Sequence, residues 1–252
     1  MELFAVEGLP EIRPGDDLAG LIADRVELRP GDVVCVASTV VSKAEGRTAD
    51  LAEYPAGERA RAIADRVSER TGEEKDPRLA QAIIDESEEL LLDQPVTLAV
   101  TPFGHVTVNA GIDRSNVPGA DLLLLPEDPA ASARRLHEAL EARVIVTDTS
   151  GRPFRYGQRG VAVGWAGLPA ARDWRGETDR DGREMTATVQ AVVDELAAAA
   201  NLVTGEGDGG TPVAVVRGFD FGDHAASDDL FRRPEDDVVR TALLEWEQGG
   251  EA

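Results

Sequence analysis

The sequence predicts a mixed α/β protein, α+β in the character of its sheets, folded as a single domain over residues 1–252 with two intertwined lobes and built on neither a P-loop nor a Rossmann scaffold. Three observations lead there. At roughly 100–200 residues per domain, 252 residues make one large domain or two small ones, and 42% hydrophobic residues supply a core. Apolar β-branched runs alternate irregularly with helical periodicity, the pattern of mixed sheets. Neither GxxxxGK[ST] nor a GxGxxG placed after a strand and before a helix occurs, and no repeat of 20–50 residues or low-complexity linker divides the chain.

Asp16 to Val26 reads as the first helix, with two acids for its first turn and Leu18, Leu21, Ile22 and Val26 on one stripe. After the turn Pro30-Gly31-Asp32, the run Val33 to Ala37 has the composition of a strand buried on both faces. Thr39 to Arg47 mixes hydroxyls, lysine and glycine and reads as a loop at that strand's end. Two amphipathic helices follow, Glu58–Arg70 and Arg78–Leu91. Strands at Val96–Val100 and His105–Asn109 flank Pro102-Phe103-Gly104 at hairpin spacing. From Asn109 to Asn116 all periodicity breaks. A helix is expected over Ala130–Arg143 and a strand over Val144–Thr147, ending in the polar stretch Asp148 to Arg152. Val161 to Ala166 reads as a strand whose glycines allow close backbone approach. A long helix from about Glu184 to Val203 leads into the glycine-rich loop from Thr204 to Gly210, then a last strand Pro212–Arg217 and an amphipathic tail helix Pro234–Gln248.

Charge narrows the function classes. Lys and Arg total 26 against 48 Asp and Glu, for a net charge of −22; such a surface repels phosphodiester backbones, which excludes a nucleic-acid coat protein. Only Lys43 and Lys75 are lysines, so 24 of the basic residues are arginine. Acid in place of lysine over a whole surface suits concentrated salt, where a Debye length of about 3 Å at 1 M removes most self-repulsion, and we expect a halophilic, cytoplasmic protein. Most acids are then a solvation coat. The single Cys35 lies in an apolar strand and reads as a buried thiol. No apolar stretch approaches 18 residues, so no membrane partner is expected.

Three polar loops carry acids beside hydroxyl or small residues: Asp113 with Asn116, Asp148 with Thr149, and Glu206 with Asp208. Hard divalent cations take oxygen donors of this kind, and Mg²⁺ prefers one or two carboxylates with water and phosphate, a preference Mn²⁺ shares. Asp113 and Asp148 also suit turn caps, a reading that stays open. Glu206 and Asp208 follow a helix C-terminus, where two more negative charges are awkward without a cation. Lys43 suits phosphate pairing or an exposed loop charge. His105, His137 and His224 lack metal spacing and read as structural or surface residues. No GxSxG or Cys/His signature supplies a nucleophile.

Taken together, GLPEIRPGDDL near the start, STVVSKAEGR at 38–47, NAGIDRSNV at 109–117, VIVTDTSGRPFRYGQRGVAVGWAG at 144–167, DWRG and GRE within 173–184, DELAAAANLVTGEGDGG, and PVAVVRG at 212–218 resemble the coenzyme F420-0:L-glutamate ligase (coenzyme F420 γ-glutamyl ligase) family in its stand-alone archaeal-type form. The resemblance implies a GTP-dependent ligase adding L-glutamate to coenzyme F420-0 through γ-linkages, with Mg²⁺ or Mn²⁺, K⁺ as supporting ion, and a homodimer. It implies nucleotide contacts from Leu9, Pro10, Glu11, Ile12, Ser38, Thr39, Lys43 and Asn116, and from the loop Thr204, Gly205, Glu206, Gly207, Asp208, Gly209, Gly210 and Thr211. It implies metal contacts from Asp113, Asp148, Thr149 and Glu206. An acyl-phosphate route, general to nucleotide-dependent amide ligases, needs no protein nucleophile. Beyond about Phe219 the sequence is less characteristic of the family. Other readings are a non-catalytic deazaflavin- or nucleotide-binding protein on the same scaffold, and a metal-dependent phosphohydrolase.

Overall fold

A computed structural model describes residues 1–117 and 119–249. In chain order the elements begin with strand β1 (Glu2–Ala5), helix α1 (Leu18–Ala23), strand β2 (Val33–Ala37) and helix α2 (Ser38–Ala44). Next come β3 (Thr48–Ala49), α3 (Glu58–Thr71), α4 (Pro77–Asp85), β4 (Glu89–Leu92), β5 (Leu98–Val100), β6 (Val106–Val108) and β7 (Leu122–Leu123). The chain continues with α5 (Pro129–Leu140), β8 (Arg143–Ser150), β9 (Arg159–Ala166), β10 (Ala171–Asp173), β11 (Val189–Ala191), α6 (Val192–Thr204), β12 (Val213–Arg217), β13 (Ala225–Ser227) and α7 (Val238–Gly249). The fold is mixed α/β, and its sheet order is neither that of a Rossmann nor of a P-loop protein.

The chain forms two compact units, each made of two separated stretches: Met1–Gly46 with Pro126–Leu230, and Arg47–Leu125 with Phe231–Ala252. The first unit is built on a five-stranded sheet ordered β1-β12-β2-β8-β9. β2 and β8 run parallel and the other neighbours antiparallel. Side chains alternate across a strand, so Val33, Cys35, Ile145, Ala214 and Val216 face α6 and pack on Val192, Val193, Leu196 and Ala200. Their alternates Val34, Val36, Val144, Val146 and Val215 are equally buried. β2 is thus covered on both faces, as its composition predicts. α5 also packs on β8 and β9, and two glycines of β9 admit helix backbones: a Cβ at Gly160 would lie 2.4 Å from the Ala197 carbonyl oxygen, and one at Gly164 2.3 Å from that of Pro129. Below the sheet, the Asp32 carboxylate is buried and gripped by Arg217 at 2.7 Å. Burial alone would raise the Asp32 carboxyl, but the hydrogen bonds and charge of Arg217, with the Arg29 amide, outweigh it and hold it below the usual carboxylate range.

The second unit joins the three-stranded sheet β4-β5-β6 and the two-stranded β3-β7 to helices α3, α4 and α7. Ile63, Ala64 and Val67 of α3 pack on Ala80 of α4, and Arg240 of α7 pairs with Glu89 of β4. His105, in the β5–β6 hairpin, is buried between Phe103 and Phe231, with ring centroids at 6.5 and 6.1 Å; burial pulls its imidazole down to about 4.

Several sequence expectations are corrected. Residues 38–44 are helical and not loop: Val40, Val41, Ser42 and Lys43 are buried, and this packing overrides the modest helix propensity of hydroxyl and β-branched residues. The helix expected over Arg78–Leu91 stops at Asp85, because Leu90 and its neighbours pair with β5. The helix expected from Glu184 starts at Val192, since Val189–Ala191 pair with β10. The strand expected to end at Thr147 continues to Ser150, paired throughout with β9. β1 has no counterpart in the sequence reading. The tail divides into a 3₁₀ turn at Pro234–Asp236 and α7.

Candidate active site at the end of strand β8

Four candidate residues of the first unit, Ser38, Asp148, Thr149 and Glu206, meet in two pairs at the end of β8. Apolar up to Val146, this strand turns polar at Thr147-Asp148-Thr149. Asp148 and Thr149 are consecutive and so face opposite ways. Asp148 accepts a hydrogen bond from the Ser38 hydroxyl at 3.1 Å, Ser38 being the buried first residue of α2. Thr149, on the face that carries Ile145 toward α6, donates to Glu206 Oε1 at 3.0 Å. Asn201, in the last turn of α6, donates to the same oxygen at 2.6 Å. Sequence reasoning missed Asn201; its one signal is a lone amide closing the run of four alanines from Ala197.

Lys43 and Glu11, 32 residues apart, form an ion pair at 2.6 Å with the lysine buried and the glutamate half-exposed. Lys43 is therefore no exposed loop charge. It projects from a helix, with its ammonium fixed by the carboxylate. Ile12 beside Glu11 is buried, while Leu9 is partly exposed and Pro10 exposed. Thr39, next to Ser38 on α2, is partly exposed. The loop after α6 folds back so that Thr211 donates to the Thr204 carbonyl at 3.2 Å. Gly205 and Gly210 supply its left-handed φ of 69° and 63°, and Glu206, Gly207, Asp208 and Gly209 are exposed.

Asp113 and Asn116 belong to the second unit. Asp113 accepts from the Ser115 amide at 2.8 Å and hydroxyl at 2.9 Å, the turn-capping role its sequence allowed. Its backbone exchanges two hydrogen bonds with Leu123. The turn before it holds three successive left-handed residues, Asn109, Ala110 and Gly111. A Cβ at Gly111 would lie 2.4 Å from Leu125 Cδ1. Asn109 is pinned by Lys75, whose ammonium donates to its side chain at 3.1 Å and to Thr97 at 3.0 Å. Burial lowers the Lys75 pKa, and neither partner is a carboxylate. Composition marked Lys75 only as one of two lysines.

The donor set can be tested against a hard divalent cation. Metal–oxygen bonds of about 2.1 Å set at right angles place adjacent ligand oxygens about 3.0 Å apart. Thr149–Glu206 at 3.0 Å and Ser38–Asp148 at 3.1 Å match that spacing. Among the described residues no group of three His, Cys, Asp or Glu side chains is placed to hold a metal ion. What the strand end offers is two pairs of oxygen donors, each one carboxylate with one hydroxyl. The histidines lie elsewhere: His137 contacts the Ala142 carbonyl at 2.7 Å, and His224 contacts Glu177 at 2.8 Å beneath the Trp174 ring. Cys35 is buried and its thiol is pushed up to about 12, which rules it out as a nucleophile.

Comparison with known proteins places this arrangement. Residues 8–218 match the family described as F420-0:gamma-glutamyl ligase. A coenzyme F420:L-glutamate ligase of Natronomonas pharaonis is 73% identical over 98% of this chain and 97% of its own length. One from Haloarcula marismortui is 69% identical over 98% of each, and one from Archaeoglobus fulgidus 47% identical over 96% of this chain and 98% of its own length. With the match spanning most of the sequence and both strand-end clusters inside it, the chain belongs to the F420-0:gamma-glutamyl ligase family.

Proposed function

We propose that this protein is a GTP-dependent ligase that joins L-glutamate to coenzyme F420-0 by an amide bond and extends a γ-linked tail. The observation that carries the reading is the pair of oxygen clusters at the end of β8, Ser38 with Asp148 and Thr149 with Glu206, with the helix that Ser38 opens also carrying the buried Lys43 ammonium held by Glu11. A carboxylate does not condense with an amine at useful rates because oxide is a poor leaving group. Transfer of the GTP γ-phosphoryl to a carboxylate oxygen releases GDP and makes an acyl phosphate. The glutamate nitrogen then attacks the acyl carbon, phosphate leaves and the nitrogen loses a proton.

Such chemistry asks the protein for positioning and charge, with no nucleophile. Lys43 offers a preset ammonium to phosphate, and the 204–211 loop offers backbone amides from its glycines. Asp148 and Glu206, with the Ser38 and Thr149 hydroxyls, would hold Mg²⁺ or Mn²⁺; a metal role for Asp113 rests on the family resemblance alone. When bound, the cation neutralises developing charge on the phosphoryl oxygens. Because Asp148 and Thr149 face opposite ways, the donors divide into two pairs, which favours one cation on each face. K⁺ as a supporting ion and a homodimer rest on the family resemblance. The acidic, lysine-poor composition supports work in the concentrated salt of a cytoplasm.

The test is mass spectrometry of product from purified protein, F420-0, L-glutamate and GTP, with and without Mn²⁺, at low and high KCl. Glutamylated product is expected, with GDP formed only when acceptor and glutamate are both present. GDP released without an acceptor would mean a phosphohydrolase, and coenzyme binding without product a binding protein.

A further inference from the structure

The loop joining β8 to β9 runs against the character of the whole protein. From Gly151 to Arg159 it holds three arginines, Phe154, Tyr156 and no acid, in a chain of net charge −22. Phe154 and Tyr156 are wholly exposed, at 103% and 104% of their reference areas. Phe154 also holds a left-handed φ of 64°. A bulky residue in that region costs on the order of 1–2 kcal/mol, and with its ring in solvent nothing in the fold offsets the cost. Arg155 is exposed and, among the described residues, is paired with no carboxylate. Arg152 instead donates to the Gly157 carbonyl at 3.2 Å, which closes the loop on itself.

The position of the loop says what it meets. It leaves β8 two residues after Thr149 and enters β9 at Arg159, opposite Ser150. The next residue, Gly160, lies against α6 so closely that its Cβ would meet the Asn201 Cβ at 3.1 Å. Asn201 and Thr149 both hold Glu206, so the loop stands directly beyond that cluster. An anionic ligand nearing this acidic protein is repelled at long range; at this loop the sign reverses, with aromatic faces next to it.

We propose that the 151–158 loop is the docking surface for the acceptor, with Phe154 and Tyr156 stacking on its aromatic ring system and Arg155 pairing with the anionic groups of its tail. This rests on the ligase reading above and extends it to the surface that selects the substrate. The two kinds of contact respond differently to salt: at 1 M the Arg155 pairing is screened beyond about 3 Å, whereas stacking is not.

The experiment compares wild type with Arg155→Gln, Phe154→Gly and Phe154→Gly/Tyr156→Ser at low and high KCl. It reads the KM for F420-0 and for GTP, acceptor binding by anisotropy of the deazaflavin fluorescence, melting temperature and oligomeric state. At low KCl, Arg155→Gln should raise the acceptor KM and Kd by about tenfold, the scale of one good contact, with the effect fading at high KCl. The aromatic variants should raise both by about tenfold or more at either salt, with the GTP KM unchanged. Phe154→Gly should keep or raise the melting temperature, because glycine accepts the left-handed backbone. Acceptor values that do not move, a GTP KM that rises in parallel, or loss of an oligomer in place of acceptor affinity would each overturn the proposal; the last would make the loop a contact between two copies of the chain. If wild type yields no product the ligase reading fails, and the anisotropy titration still decides whether the loop binds the deazaflavin.

Discussion

Asp148 shows how much rests on one side chain. It lies in the polar end of β8, after the apolar run Val144–Val146, accepts from Ser38, and is a candidate cation ligand. Asp148→Ala should lower turnover by on the order of 10²–10³, the scale of losing a preorganised charge stabiliser, with the fold intact by circular dichroism. Activity at the wild-type level would remove it from the cation role. His105 provides a pH signature of a different kind. Buried and shifted to about 4, it stays neutral in the native state while the unfolded chain takes up a proton near 6.5. The unfolded state thus binds more protons between about 4 and 6.5, so stability rises with pH across that window. At about 1.4 kcal/mol per pKa unit the contribution reaches about 3 kcal/mol. Urea titrations should show that slope in the wild type and lose it in His105→Phe. Asp32 acts lower on the scale: its carboxyl is depressed, so its stabilisation is present above about 3.9, the unfolded value, and is lost as pH falls through the lower folded one.

The glycines of β9 carry the tightest element contacts. Both Gly160 and Gly164 face helix backbone that cannot rotate away as a side chain can. Gly164→Ala should cost about 1–3 kcal/mol or more as strand and helix are pushed apart, read as a fall in urea midpoint. Gly151→Ala, which meets nothing within 4 Å, should change stability little. Legibility followed the same physics. The sequence revealed β2, β9, β12 and α3 because burial on one or both faces stamps a period on the residues. It misled at α2, where the helix is stabilised by what covers Val40 and Val41 and not by local propensity. It misled again at residues 189–191, where Val189 continues a helical period but the segment found strand partners in β10. The acids and hydroxyls of the site stood out because they interrupt apolar runs. The Lys43–Glu11 pair did not, because no period links residues 32 positions apart, and the loop's exposed aromatics looked like any others until their exposure was known.

At the scale of the molecule, charge governs behaviour. A net −22 is self-repulsive in dilute buffer, where the Debye length is about 10 Å at 0.1 M. The melting temperature should therefore climb as KCl rises from 0.1 to about 2 M, most steeply in the lower part of that range where screening changes fastest. Scanning calorimetry against KCl checks this, and a flat or falling profile would remove the acidic surface from the account of stability.

The sheet order carries a consequence for how the chain is made. β12, drawn from residues 213–217, lies between β1 and β2, which are synthesised at the outset. While most of the polypeptide leaves the ribosome, the two early strands must wait with a gap between them and their edges unpaired, so the sheet can close only after Arg217 emerges. Nascent chains halted before that residue should be protease-sensitive throughout the first unit and attractive to chaperones. Such sequence-distant pairing marks this protein as a slow folder that completes itself late.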